Sequence, residues 1–107
     1  MRWTIEYLNS RVKADLDAQP REIRSRFERI VSLISEHGLE LVREPYVKHL
    51  QGPLWEMRMS GRDTIARAIY VTVRERRLVI VHVFTKKTQK TPRKEIDVAL
   101  RRLKDIG

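Results

Sequence analysis

The chain has 107 residues and a mass of 12.8 kDa, which predicts a single domain over residues 1–107, because two cores would each be too small. Its hydrophobic fraction of 41% is typical of a folded protein, and its lack of cysteine excludes disulfides, thiolate metal sites and thiol catalysis. The net charge of +9 arises entirely in residues 43–107, with sixteen basic against seven acidic residues, and this one-sided excess favours a polyanionic partner over a merely solvated surface.

The first forty residues predict a short strand followed by two helices. Apolar and polar side chains alternate over residues 3–7, and Asn9 or Ser10 can cap a helix that ends near Pro20. The second helix ends at Gly38 and carries a buried stripe at helical spacing. The stripe consists of Ile23, Phe27, Ile30, Val31 and Ile34. The charges on the outer face of this helix, which we interpret as a solvated surface, are Arg24, Arg26, Glu28 and Arg29.

The second half predicts three strands and a final helix. Short polar loops between the strand-like runs Leu54–Met59, Ile65–Val73 and Leu78–Phe84 favour an antiparallel meander. A helix cap at Thr91 and Pro92 then starts a helix with one apolar stripe. The element order is therefore β-α-α-β-β-β-α, an α+β fold with its helices mainly on one face of an antiparallel sheet.

Alternation along the strands predicts which side chains share a face. The register that brings apolar residues together pairs Arg58 with Arg67, pairs Arg67 with Phe84, and sets Val73 beside Leu78. One face then carries Glu56, Arg58, Arg67, His82, Phe84 and Lys86. The opposite face, expected to pack on the helices, carries Trp55, Met57, Tyr70, Val79, Val81 and Val83.

The polar face has the groups needed to bind and cleave RNA. Guanidinium and ammonium groups bind phosphate, and an aromatic ring can stack on an unpaired base. Cleavage also needs a proton acceptor and a proton donor, for which Glu56 and His82 are candidates. His82 could equally be a satisfied core histidine, and Glu56 could serve only as the partner of an arginine. Tyr70 falls on the core face and favours a structural role.

The run Lys86–Lys87–Thr88–Gln89–Lys90 adds a focused positive site after the last strand, although such runs are often only solvated. The candidate catalytic residues are Glu56, Arg58, Arg67, His82, Lys86 and Lys87, and the candidate RNA-binding residues are Lys48, Phe84, Lys90 and Arg93. The histidines form no spaced ligand set and no glycine-rich phosphate loop occurs, so neither a metal nor a cofactor is expected.

Three segments resemble the phage-type HigB-like branch of the RelE/ParE toxin superfamily over residues 48–103. They are LQGPLWEMR at 50–58, ARAIY at 66–70 and HVFTKKTQKTP at 82–92. The resemblance implies a RelE-like fold and a type II toxin–antitoxin toxin, a ribosome-dependent mRNA interferase that cuts mRNA in the A site. It also implies metal-independent attack by the 2′-hydroxyl, and neutralisation by an antitoxin that usually has a helix-turn-helix domain.

By position, the resemblance assigns Arg67 to the recurrent strand arginine of RelE-like active sites. It assigns Arg58 to the arginine of the LWELR-like motif, Tyr70 to the Arg-x-x-Tyr strand, and Lys86 and Lys87 to the basic segment after the last strand. The chain departs from the pattern where relatives often carry an aromatic residue and a glycine, since it has an alanine at 66 and a valine at 83.

Two other functions fit the same pattern. A ParE-like toxin shares the fold but inhibits DNA gyrase without cleaving anything, and a non-catalytic RNA- or ribosome-binding module needs no general base. The phosphate-binding set favours the nuclease. Because the chain lacks a signal peptide and an apolar run of transmembrane length, it is predicted to be cytoplasmic, with no membrane partner.

Overall fold

The computed structural model describes residues 2–86 and 90–106, which form one mixed five-stranded sheet with helices on both of its faces. The elements are β1 (Thr4–Tyr7), α1 (Ser10–Asp17), α2 (Arg21–His37), β2 (Val47–Gln51), β3 (Leu54–Ser60), β4 (Ile65–Val73), β5 (Arg77–Lys86) and α3 (Arg93–Arg102). The prediction of an α+β fold is confirmed. None of the described helices is both long and apolar enough to cross a membrane.

The sheet has the strand order β1-β5-β4-β3-β2. The meander of β3, β4 and β5 is antiparallel as predicted, whereas β1 lies parallel to β5 at one edge. Strand β2 forms the other edge and was not predicted. It lacks a clear alternating pattern, because only Val47 is buried and an irregularity interrupts its pairing with β3 between His49 and Gln51.

The first two helices begin and end where the sequence predicts. The Asn9 side chain accepts a hydrogen bond from the backbone N–H of Val12 at 3.0 Å and caps α1. Pro20 precedes α2, and Gly38 ends it at a positive φ of 86°, a conformation that favours glycine. The predicted stripe of α2 is buried except for Val31, which is only partly covered.

The predicted register of β3 against β4 is confirmed, with Arg58 opposite Arg67 and Trp55 opposite Tyr70. The pairing of Arg67 with Phe84 is also confirmed. The register of β4 against β5 then shifts, so that Val73 lies opposite Arg77 and the predicted pairing with Leu78 is wrong. The cause is a β-bulge in β5, because an inserted residue displaces all later pairs by one position.

This bulge also changes which residues of β5 face each helix. Val79 and Val81 pack with α3, not on the face of α1 and α2 as predicted, because a one-residue slip moves side chains to the opposite face. Met57, Tyr70 and Val83 do pack against α1 and α2. The α3 core cluster consists of Leu54, Ile69, Val71, Val79, Val81, Phe84 and Ala99. Helix α3 therefore covers part of the face that the sequence predicted to be polar and free of helices.

Trp55 is the other departure from the predicted core. It lies on the expected side of the sheet, but it is 39% exposed, opposite His49 of the edge strand β2. Its ring contacts that of His49 at 5.0 Å between centroids and lines a cavity of about 580 Å³ together with Trp3 and Tyr70. Trp55 therefore packs at the rim and not under the helices.

Candidate active site

A buried ion pair lies on the face of β3 and β4 opposite to α2. Glu56 and Arg67 are each 2% exposed, and Arg67 Nε donates to Glu56 Oε2 at 3.1 Å. Arg67 Nη1 also donates to the Ala66 carbonyl at 3.0 Å, and Thr91 Oγ1 donates to Glu56 Oε1. Burial lowers the pKa of Arg67, and Glu56 opposes that shift. The carboxylate accepts from two donors and thereby fixes the direction of the guanidinium.

Other cations surround this pair. Arg58 lies directly opposite Arg67 across the strands, and Lys86, only 4% exposed, ends β5 nearby. Burial lowers the pKa of Lys86, and the positive charges of Arg67, Arg58 and Lys48 lower it further, while Glu56 opposes them. These four cations, Lys48, Arg58, Arg67 and Lys86, form what we call the cation cluster. The fold thus brings together four predicted site residues around Glu56.

His82 is held by α3 and not by the cation cluster. Its Nε2 lies 2.9 Å from Glu95 Oε1, its Nδ1 lies 3.4 Å from Arg102 Nη1, and its ring stacks on Phe84 at 5.2 Å. In the cross-strand row Ile69 separates His82 from Glu56, so the two backbones lie about 10 Å apart. This geometry agrees with the interpretation of His82 as a structural histidine, because both ring nitrogens have a polar partner.

The remaining predicted RNA-binding residues lie at different depths. Phe84 is 7% exposed and packs in the α3 core, which leaves little of its ring for a base. Arg93 is exposed, and its guanidinium binds Gln51 Oε1 at 2.6 Å and Asp97 at 3.1 Å. Lys90 is exposed on the segment before α3, whereas Lys87 lies outside the described residues.

The structure adds site residues that the sequence analysis interpreted as solvated surface. A cavity of about 330 Å³ runs from α2 to β3 and β4. Its polar and aromatic lining consists of Arg26, Arg29, Tyr46, Arg58, Ser60 and Arg67, and we call it the arginine groove. The signal in the sequence was the i, i+3 spacing of Arg26 and Arg29, which places both on one side of α2. The zero net charge of residues 1–42 obscured it.

Tyr70 has the structural role that its position predicted. It is completely buried in the core that includes α1 and α2, and burial raises its pKa. Its hydroxyl finds no hydrogen-bond partner among the described residues. The hydroxyl points away from the cation cluster's face, since Tyr70 shares the core of Met57 and Ile80.

Comparisons with known proteins agree with this architecture. A family model described as "Phage derived protein Gp49-like" matches residues 14–104. A chain from the crystal structure of the archaeal RelE-RelB complex from Pyrococcus horikoshii OT3 has a TM-score of 0.58 and 20% sequence identity, covering 79% of this chain and 96% of that chain. This similarity shows a RelE-like fold. No curated protein matches the sequence significantly.

Proposed function

We propose, since the chain belongs to the family of phage derived Gp49-like proteins and has a RelE-like fold, that it is the toxin of a toxin–antitoxin pair. We further propose that it is a ribosome-dependent endoribonuclease of the HigB-like kind that cleaves translated mRNA. The observation that carries the proposal is the cation cluster, in which a buried carboxylate orients Arg67 beside Arg58 and Lys86.

The cluster fits the charge that develops when RNA is cut by its own 2′-hydroxyl. In that reaction the 2′-oxygen loses its proton and bonds to the adjacent phosphorus, and the 5′-oxygen leaves and takes up a proton. The phosphoryl oxygens gain negative charge in the transition state. Preoriented cations stabilise this charge most strongly where water is excluded, as it is around Arg67 and Lys86.

Glu56 serves this scheme as a positioning residue. Both of its carboxylate oxygens already accept hydrogen bonds, from Arg67 and from Thr91. Thr91 precedes α3, so Glu56 connects the cluster on the sheet to the segment that starts the last helix. We therefore assign charge stabilisation to Arg58, Arg67 and Lys86.

An antitoxin is the proposed protein partner. The similar archaeal fold was crystallised as a RelE-RelB complex, and the excess of positive charge in residues 43–107 suits a partner that contributes acidic groups. We propose that the antitoxin carries a helix-turn-helix domain, as in the HigB-like branch, and that the toxin acts in the cytoplasm at the ribosomal A site.

The proposal is tested by incubating purified protein with ribosomes programmed with mRNA and, in parallel, with DNA gyrase. We expect cleavage of the mRNA only when ribosomes are present, and no effect on supercoiling. Arg67→Ala should abolish cleavage, with Arg24→Ala as a matched arginine substitution outside the cluster. Inhibited gyrase with intact mRNA would assign the protein to the ParE-like class, and ribosome binding without cleavage would make it a non-catalytic module.

A further inference from the structure

The arginine groove differs from the rest of helix α2 in its charge. Arg26 and Arg29 line it together with Arg58 and Arg67, and no acidic residue lines it among the residues that the structure describes. Arg21 and Arg24 have the same i, i+3 spacing on the same helix, but their cavity also contains Asp17 and Glu28. The arginines on one side of α2 therefore lie beside acidic residues, whereas those in the arginine groove do not.

Three of the groove's guanidinium groups are available to a ligand. In the described part of the chain, no carboxylate lies within ion-pair distance of Arg26, Arg29 or Arg58. Arg26 and Arg29 are exposed on α2, and Arg58 is half-buried on β3. Arginines that line one cavity without counter-ions repel one another, and an anion placed among them removes that repulsion.

The groove also contains an aromatic surface and continues into the proposed active site. Tyr46 is 39% exposed and lies beside the arginines, where its ring can stack on an unpaired base. Arg58 and Arg67 belong both to the groove and to the cation cluster. A strand whose scissile phosphate lies at the cluster therefore meets Arg26, Arg29 and Tyr46 next.

We propose that the arginine groove binds a flanking segment of the substrate RNA, with phosphates on Arg26 and Arg29 and one base on Tyr46. This inference rests on the proposed function for the identity of the strand. Alternating phosphates and bases are the chemistry that unpaired guanidinium groups beside a tyrosine recognise. An acidic segment of a protein partner would use the arginines but would leave the ring without a matching group.

The test measures binding of a 2′-O-methylated single-stranded RNA of about ten nucleotides, a length typical of single-strand sites, across a salt series. Because each phosphate contact adds about 0.7 to the slope of log affinity against log salt, R26Q/R29Q should reduce the slope by about 1.4. Affinity at low salt should fall about ten-fold. The matched control R21Q/R24Q removes the same charge from the same helix and should keep the slope within error.

Two further measurements separate the parts of the proposal. Tyr46→Ala should weaken binding about ten-fold without changing the salt slope, because it removes stacking and not charge. Arg67→Ala, at a residue that the groove shares with the cation cluster, should also lower affinity for the same oligonucleotide.

The outcomes distinguish this proposal from the nuclease proposal. Equal slopes for wild type, R26Q/R29Q and R21Q/R24Q would overturn the groove assignment even if mRNA is cleaved. A loss of antitoxin affinity with unchanged RNA binding would overturn it too and assign the groove to the antitoxin. R26Q/R29Q could reduce the slope while the wild-type protein leaves ribosome-programmed mRNA intact. That result would support the groove assignment and contradict the nuclease proposal.

Discussion

The carboxylate of Glu56 raises the pKa of both Lys86 and Arg67 and so partly offsets the effect of burial. The three neighbouring cations lower the pKa of Lys86. A buried pair of this kind contributes little net stability, because both ions lose their hydration. Removing one partner is costly, since the other charge then remains buried alone. We infer that each residue of the pair serves mainly to orient the other, and this has measurable consequences.

The first prediction is that Glu56→Gln lowers the free energy of unfolding by about 3 kcal/mol, because it leaves the Arg67 guanidinium without a counter-charge. Chemical unfolding of the purified variant measures the loss. The double variant Glu56→Gln with Arg67→Met removes both charges and should recover much of it. Wild-type stability in Glu56→Gln would show that the pair is not buried as described.

The second prediction concerns the protonation of Lys86. Since burial and neighbouring cations lower its pKa below the usual 10.5, the ammonium loses its proton, and its hold on phosphate, at a lower pH than an ordinary lysine. Affinity for a non-cleavable RNA should therefore fall as the pH rises through this lowered pKa. Lys86→Arg keeps its charge and should move the fall to higher pH. An unchanged alkaline profile in Lys86→Arg would contradict this assignment.

At the scale of the elements, the hairpin between β4 and β5 turns through two strained residues. Glu75 and Arg76 have φ values of 64° and 55°, a region that costs a residue with a side chain about 1–2 kcal/mol. The third prediction is that Glu75→Gly raises the free energy of unfolding by about 0.5 kcal/mol, after the entropy cost of glycine. Thermal denaturation measures it. Glu75→Ala keeps the strain and should give no gain, and a gain equal to that of glycine would contradict the explanation.

The parallel pairing of β1 with β5 is reinforced by a bidentate ion pair. Arg77 Nε and Nη2 donate to the two carboxylate oxygens of Glu6 at 2.7 and 3.0 Å, and the hydrogen bond from Arg77 lowers the pKa of Glu6. A carboxyl whose pKa is lowered by folding stabilises the fold above its unfolded pKa, and that contribution disappears as the pH falls through the folded pKa.

The fourth prediction follows from that sign. Wild type should be more stable than Glu6→Gln at neutral pH, and the difference should vanish in acid, below the usual glutamate value of 4.5. Melting temperatures of both proteins over an acid-to-neutral series measure the difference. A difference that persists unchanged in acid would mean that packing, and not the charge of Glu6, accounts for it.

The sequence predicts elements well where one period dominates, as in α2 with Ile23, Phe27 and Ile34, and in β3. It fails at β5, where an unbroken apolar run fits either face, so nothing marks the bulge that sends Val79 and Val81 toward α3. It also fails at β2, because an edge strand buries too little to impose a pattern.

At the scale of the whole molecule, the candidate site combines a predictable part with an unpredictable one. Strand alternation was enough to predict Arg58, Arg67 and Lys86 as site residues, because β3, β4 and β5 are neighbours both in sequence and in space. The sequence did not predict Arg26 and Arg29 as site residues, because their place in the groove depends on how α2 packs against the sheet. Local periodicity in the sequence gives no information about that long-range packing.

The fifth prediction belongs to the assembled site. If the cluster stabilises attack by the 2′-hydroxyl, a single 2′-deoxy substitution at the cut position of a ribosome-bound mRNA should abolish cleavage there. The wild-type product should end in a 2′,3′-cyclic phosphate or its hydrolysed 3′-phosphate. Mass spectrometry of the fragments measures both. Efficient cleavage of the deoxy substrate would require a different nucleophile, and a deoxy sugar one residue away is the matched control.

The arginine groove makes salt act on this protein in two opposite directions. Added salt screens the repulsion among Arg26, Arg29 and Arg58, so the isolated protein should melt at a higher temperature as ionic strength rises. The same salt weakens the contacts that these side chains make with phosphate, so RNA affinity should fall over the same range. The salt concentrations that raise the melting temperature are thus those that weaken RNA binding, and a polyanion can replace salt as the stabilising agent.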